Sequence, residues 1–142
     1  MENIELINYI KTPVSIVYNA LVSEEGLSNT WTKKLKVKPE VGFVNEFDFD
    51  EDYLTQMKIL ELKENQRIVW ECIASDDEWV GTRIIFDLSE EKGVTKIILR
   101  HADWRELTDF YRWCNYNWAM FLFSLKTYCE KKKGLPFQER EF

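Results

Sequence analysis

The chain has 142 residues, 45% of them hydrophobic and 31% charged, with only five glycines and three prolines. That length suits one domain with a sizeable core, spanning residues 1–142, and the composition excludes disordered, collagen-like and low-complexity classes. Nineteen basic against 25 acidic residues leave a net charge of −6, which argues against a nucleic acid or an anionic lipid surface as the main partner.

Ile4 to Ile10 alternates as a strand, with Ile4, Leu6, Asn8 and Ile10 on one face and Glu5, Ile7 and Tyr9 on the other. Thr12 before Pro13 reads as an N-cap with proline at the first helical position, and Val14, Val17, Tyr18, Leu21 and Val22 recur at helical spacing. Ser23 and Gly26 break that helix, Leu27 to Trp31 forms a second helical turn, and a strand is expected near Leu35 to Val37.

Strands then dominate. Phe43 to Phe49 carries an aromatic face and a mostly acidic one, and an acidic turn, Asp50 to Asp52, follows. Tyr53 to Leu62 slips in parity from Met57 and Ile59 to Leu60 and Leu62, which predicts a bulge. Arg67 to Ala74, Val80 to Leu88 and Val94 to Ala102 alternate cleanly, the last two joined at Lys92-Gly93, and the final strand puts Ile97, Leu99 and His101 on one face. From about Glu106 the period lengthens. Phe110, Trp113, Asn117, Phe121, Ser124 and Tyr128 form one helical stripe beside Cys114, Trp118, Leu122, Leu125 and Cys129. Lys131 to Lys133 suit the negative end of that helix, with Gly134 as its cap.

No apolar run reaches the length of a membrane span. The first residues carry Glu2 and Glu5 and no cleavage signal, so a cytoplasmic protein with Cys72, Cys114 and Cys129 as reduced thiols is expected. The acidic set Glu46, Asp48, Asp50, Glu51 and Asp52 reads as a solvated face rather than a calcium loop, and neither a metal nor a cofactor is expected.

The order of elements is joined by specific motifs: Ile10-Lys11-Thr12-Pro13, Trp79-Val80-Gly81-Thr82-Arg83, His101-Ala102-Asp103-Trp104, Asn117-Trp118 with Ser124-Leu125-Lys126, and Lys133-Gly134-Leu135-Pro136. From about residue 3 to residue 137 the chain resembles the START-like (SRPBCC, helix-grip) superfamily. Within it, the chain is similar to bacterial single-domain proteins like the C-terminal domain of the activator of heat-shock protein 90 ATPase homologue. The resemblance implies an α+β fold: a curved antiparallel sheet of about six to seven strands around a long C-terminal helix, with two short helices after the first strand. It also implies a cavity between sheet and helix. Two positions depart from the family's pattern, Asn117 and Asp103 standing where glycine is usual, and both enlarge a side chain near the expected ligand.

Parity and helical position turn Trp31, Phe47, Phe49, Met57, Trp70, Phe86, His101, Trp118 and Phe121 toward that space, with His101 and Asn117 as polar anchors. The competing reading is a fully packed core. His101, the only histidine, is either ligand-facing or a satisfied structural residue, and no Ser, Cys or carboxylate completes a catalytic set around it. The expected function is therefore binding of a small hydrophobic or amphipathic ligand. The alternatives are a co-chaperone that touches a heat-shock protein 90 homologue and a small-molecule enzyme using His101. A cavity reaching His101 favours binding or catalysis, whereas a filled interior with an exposed apolar patch favours a protein partner.

Overall fold

A computed structural model describes residues 1–142. The elements run β1 (Glu2–Ile10), α1 (Val14–Val22), α2 (Glu24–Thr30), β2 (Lys34–Lys36), β3 (Val44–Asp48), β4 (Thr55–Lys63), β5 (Arg67–Ala74), β6 (Arg83–Glu91), β7 (Val94–Trp104) and α3 (Asp109–Lys131), closed by a 3-10 turn at Phe137–Glu139. The seven strands form one antiparallel sheet in the order β1-β7-β6-β5-β4-β3-β2. Strands β2 to β7 are a meander, and β1 crosses to close on β7. The curved sheet wraps α3, which is the α+β helix-grip arrangement.

Period-two patterning decides which face is buried. Ile68, Trp70 and Cys72 of β5, Ile84, Phe86 and Leu88 of β6, and Ile97, Leu99 and His101 of β7 all point inward and meet Trp118, Phe121, Leu122 and Leu125 of α3. Each large apolar side chain fully withdrawn from water contributes about 1.5–3 kcal/mol before entropy is set against it. The outer face keeps a small buried apolar cluster of Val69, Ile85 and Ala102. Across it runs an alternating ladder of charges, Glu61, Arg67, Asp87, Arg100 and Glu5, spanning five strands.

The parity slip in β4 is a register shift between Ile59 and Glu61, which leaves Leu60 exposed. A further irregularity lies where Glu2 to Ile4 of β1 faces Trp104 to His101 of β7. There Asp103 takes φ 73°, the left-handed region that glycine occupies at no steric cost. Its carboxylate accepts from Arg83 Nε at 2.8 Å on the outer side of the sheet.

Several boundaries differ from expectation. Pro13 is the N-cap of α1 and Thr12 does not cap it; the free Val14 N–H instead donates to the Glu90 carboxylate, an anion supplied to the helix start from the β6–β7 hairpin. Helix α2 begins at Glu24 because the Ser23 hydroxyl accepts from the Gly26 N–H. Val80 lies in a turn rather than a strand: Thr82 N–H donates to the Trp79 carbonyl and Gly81 sits at φ 90°. At the end of α3, Lys132 at φ 61° takes the left-handed cap position. Gly134 serves close packing instead, since a Cβ there would stand 2.1 Å from the Asn29 carbonyl oxygen.

Candidate functional site

Trp31, at the end of α2, is the hub of the interior. Its ring centroid lies 4.5 Å from Phe47, 4.9 Å from Phe49, 5.3 Å from Trp118, 5.8 Å from Phe121 and 5.9 Å from Trp70. At these separations the rings are in contact and leave no ligand-sized gap between them. Trp31, Phe47, Met57, Trp70, Phe86, His101, Trp118 and Phe121, eight of the ten residues expected to line a cavity, are buried in this packing.

His101 shows how completely the interior is filled. Trp118 Nε1–H donates to His101 Nδ1 at 3.0 Å, so Nδ1 is unprotonated and the hydrogen sits on Nε2. Nε2 donates to Thr82 Oγ1 at 2.7 Å, and the Thr82 hydroxyl donates to the Trp79 carbonyl at 2.5 Å. Both ring nitrogens are satisfied in the neutral form, and burial pushes the imidazole pKa down to about 3. The ring has no exposed surface. It holds the Trp79 turn and the Trp118 indole in register, as a structural histidine does.

One concave feature, the most aromatic, lies at one end of the grip, where the α2 end, the β3–β4 loop, the β5–β6 turn, the first half of α3 and the C-terminal segment converge. It is a cleft of about 100 Å³. Trp31, Phe49, Tyr53, Trp79, Phe110, Trp113 and Phe137 supply its rings, with Glu51, Thr55, Ser75, Cys114, Asn117 and Arg140 among them. Three expected lining residues, Trp31, Phe49 and Asn117, thus lie together here. Asn117 Nδ2 donates to the Trp113 carbonyl of its own helix at 2.8 Å, leaving its carboxamide oxygen without a protein donor. Asp103, the other departure from the family's glycines, is not part of the cleft.

The rest of the wall was not expected. Trp79, just ahead of the strand expected from Val80, lies in a turn that swings its indole inward to donate to Cys114 Sγ at 3.3 Å. Trp113 and Phe110 belong to the predicted helical stripe, but only the docking of α3 puts them at this end of the sheet. Phe137 and Arg140 come from a C-terminal segment held by long-range hydrogen bonds. Phe137 N–H donates to the Trp31 carbonyl at 2.7 Å, Leu135 N–H to Ser124 Oγ at 2.7 Å, and Gln138 Nε2 to Thr32 Oγ1 at 2.8 Å. The one sequence signal for this docking is Gly134-Leu135-Pro136, where the chain turns back beyond the end of the helix.

The thiol and the phenol in the cleft are neutral. Burial pushes the Cys114 thiol and the Tyr53 phenol each up to about 12, so both stay protonated at neutral pH. The arrangement offers apolar surface, hydroxyls, one carboxylate and one guanidinium.

The family model described as Activator of Hsp90 ATPase homolog 1-like protein matches residues 11–130. The solution structure of the Aha1 dimer from Colwellia psychrerythraea superposes with a TM-score of 0.86 at 34% identity, covering 94% of this chain and 100% of that one. A protein of Mesorhizobium loti (TM-score 0.78, 18% identity, 89% of this chain and 95% of that one) and one of Staphylococcus saprophyticus (0.76, 19%, 94% and 95%) share the fold. Comparison with curated proteins finds no match. No helix is long and apolar enough to cross a membrane. The chain belongs to the activator of Hsp90 ATPase homolog 1-like family, within the START-like helix-grip fold.

Proposed function

We propose that the protein is a single-domain, cytoplasmic, non-catalytic binding module that takes a small, mainly apolar molecule in the cleft at the end of the grip. The observation that carries this reading is the cleft's wall, in which Trp31, Phe49, Trp79, Phe110 and Trp113 converge around a few polar groups while the rest of the interior is filled. Its volume of about 100 Å³ is below that of a drug-sized site. It is of the order of the cavities that admit a single benzene ring. The ligand expected at the outset is therefore reduced in size, and its contacts reduce to Trp31, Phe49 and Asn117 of the original set, joined by the residues of the turn, helix and tail. Native mass spectrometry of the purified protein, with and without added single-ring compounds, tests this. Binding that is lost on replacing Phe49 by Asp in a variant that still folds supports it; a panel of such compounds that leaves both mass and tryptophan fluorescence unchanged refutes it.

A second reading has its own observation. On the outer side of α3, Trp113, Tyr116 and Phe123 are about half exposed or more, Phe123 at 62%. Together with the family's description, this favours a surface for a protein partner such as a heat-shock protein 90 homologue. Co-precipitation with that chaperone, lost in Phe123→Glu, is the corresponding test.

A further inference from the structure

Arg140 is 9% exposed, and no carboxylate lies within ion-pair reach of it. Its Nε donates to the Leu135 carbonyl at 2.9 Å and its Nη2 to the Thr30 carbonyl at 3.0 Å. Both acceptors are neutral, and Nη1 donates to no protein atom. Neighbouring acids are engaged elsewhere or stand apart: Glu139 pairs with Lys33, Asp50 with Lys34, and Glu51 is exposed at the rim. A guanidinium largely withdrawn from water without a counter-ion is costly, and two backbone carbonyls offset only part of that. The same residue lines the aromatic cleft.

We infer that the cleft's occupant is a small monocarboxylic acid with a single ring or short apolar body, its carboxylate received by the free edge of the Arg140 guanidinium. The inference rests on the reading of the cleft as a binding site and adds the ligand's charge. Nη1 and its neighbouring Nη2 form the planar fork that matches a carboxylate, and a charge-assisted bond inside a ring-lined site is stronger than one to a neutral acceptor. The rings of Trp31, Phe49 and Trp113 then cover the apolar body. Glu51 at the rim disfavours a second negative charge on the ligand, so a monoanion is selected over a dianion. Burial also pushes the Arg140 pKa down to about 10, a cost that an anionic partner removes.

Phenylacetate and its neutral isostere phenylacetamide, titrated into the full chain and followed by the indole N–H resonances of Trp31, Trp79 and Trp113, separate the possibilities. Phenylacetate binding at least tenfold tighter than phenylacetamide at the same resonances, with the preference abolished in Arg140→Gln and partly kept in Arg140→Lys, supports the inference. Equal binding of acid and amide overturns it and leaves the cleft as a site for neutral molecules. Binding of neither overturns it together with the reading of the cleft. The acid-to-amide comparison in the unaltered protein decides the question even if the Arg140 variants lose their C-terminal docking, and 4-carboxyphenylacetate binding as tightly as phenylacetate overturns the role given to Glu51.

Discussion

The chain's one histidine makes a sharp test of how the interior is built. His101 is fully buried and its folded pKa is about 3, against an ordinary value of 6.5. Below pH 6.5 the unfolded chain takes up a proton that the folded one refuses, so this residue's contribution is complete above pH 6.5 and falls as pH drops toward 3. One proton corresponds to about 1.4 kcal/mol per pH unit, and the loss between pH 7 and pH 5 is about 2 kcal/mol. For a chain of this size that lowers the melting temperature by roughly 4–8 °C. The partnered carboxylates Asp50 and Glu130 also have lowered pKa values, but their ordinary values are 3.8 and 4.5, so their losses begin at lower pH. Urea unfolding followed by tryptophan fluorescence between pH 7 and pH 5 therefore isolates the histidine. His101→Gln retains an acceptor for Trp118 and a donor for Thr82 but does not titrate. It is expected to be less stable at pH 7 by about 1–3 kcal/mol and nearly flat from pH 6.5 to 5. A flat profile in the unaltered protein, or the same slope in His101→Gln, refutes the neutral, doubly bonded imidazole.

Four further outcomes follow from the same geometry. Gly134→Ala forces a methyl against the Asn29 carbonyl, 2.1 Å from the built Cβ; a cost of about 1–3 kcal/mol and faster proteolysis of the C-terminal segment are expected, and an unchanged urea midpoint would speak against the tight contact. Lys132→Gly relieves the left-handed cap at φ 61° and should raise stability by about 1 kcal/mol, read from the same unfolding curves. Asp87→Asn removes the carboxylate shared by Arg67 and Arg100, each at 2.7 Å; because the ladder is partly exposed, the loss should be only about 0.5–1 kcal/mol and should vanish in 1 M salt. Cys72, Cys114 and Cys129, each pushed up to about 12 by burial, should resist a thiol reagent at pH 8 until the protein is unfolded. A rapidly modified native thiol would contradict their burial.

What local sequence determined is the framework. Alternation in Arg67 to Ala74 and in Val94 to Ala102 is a property of neighbouring residues and needs no partner to be read, and the slip at Leu60 marked the bulge for the same reason. The stripes of α3 likewise announced which helical face would be buried. Parity says only that a side chain points inward, however, and whether the inward space is occupied depends on how rings from distant segments fit together. Phe47, Trp70, Trp118 and Phe121 pointed inward as expected and, by interlocking around Trp31, removed the space they were expected to enclose. His101 had the right parity for a ligand contact and became a structural link, because Trp118 and Thr82 arrive from other elements to claim both of its nitrogens. The cleft was decided by tertiary structure alone. Trp79 enters it through a turn set by Gly81, Trp113 through the angle at which α3 crosses the sheet, and Arg140 through a tail pinned to Thr30 and Trp31, more than 100 residues away in the chain. No local periodicity encodes a meeting of segments so far apart, since it exists only once burial has brought them together.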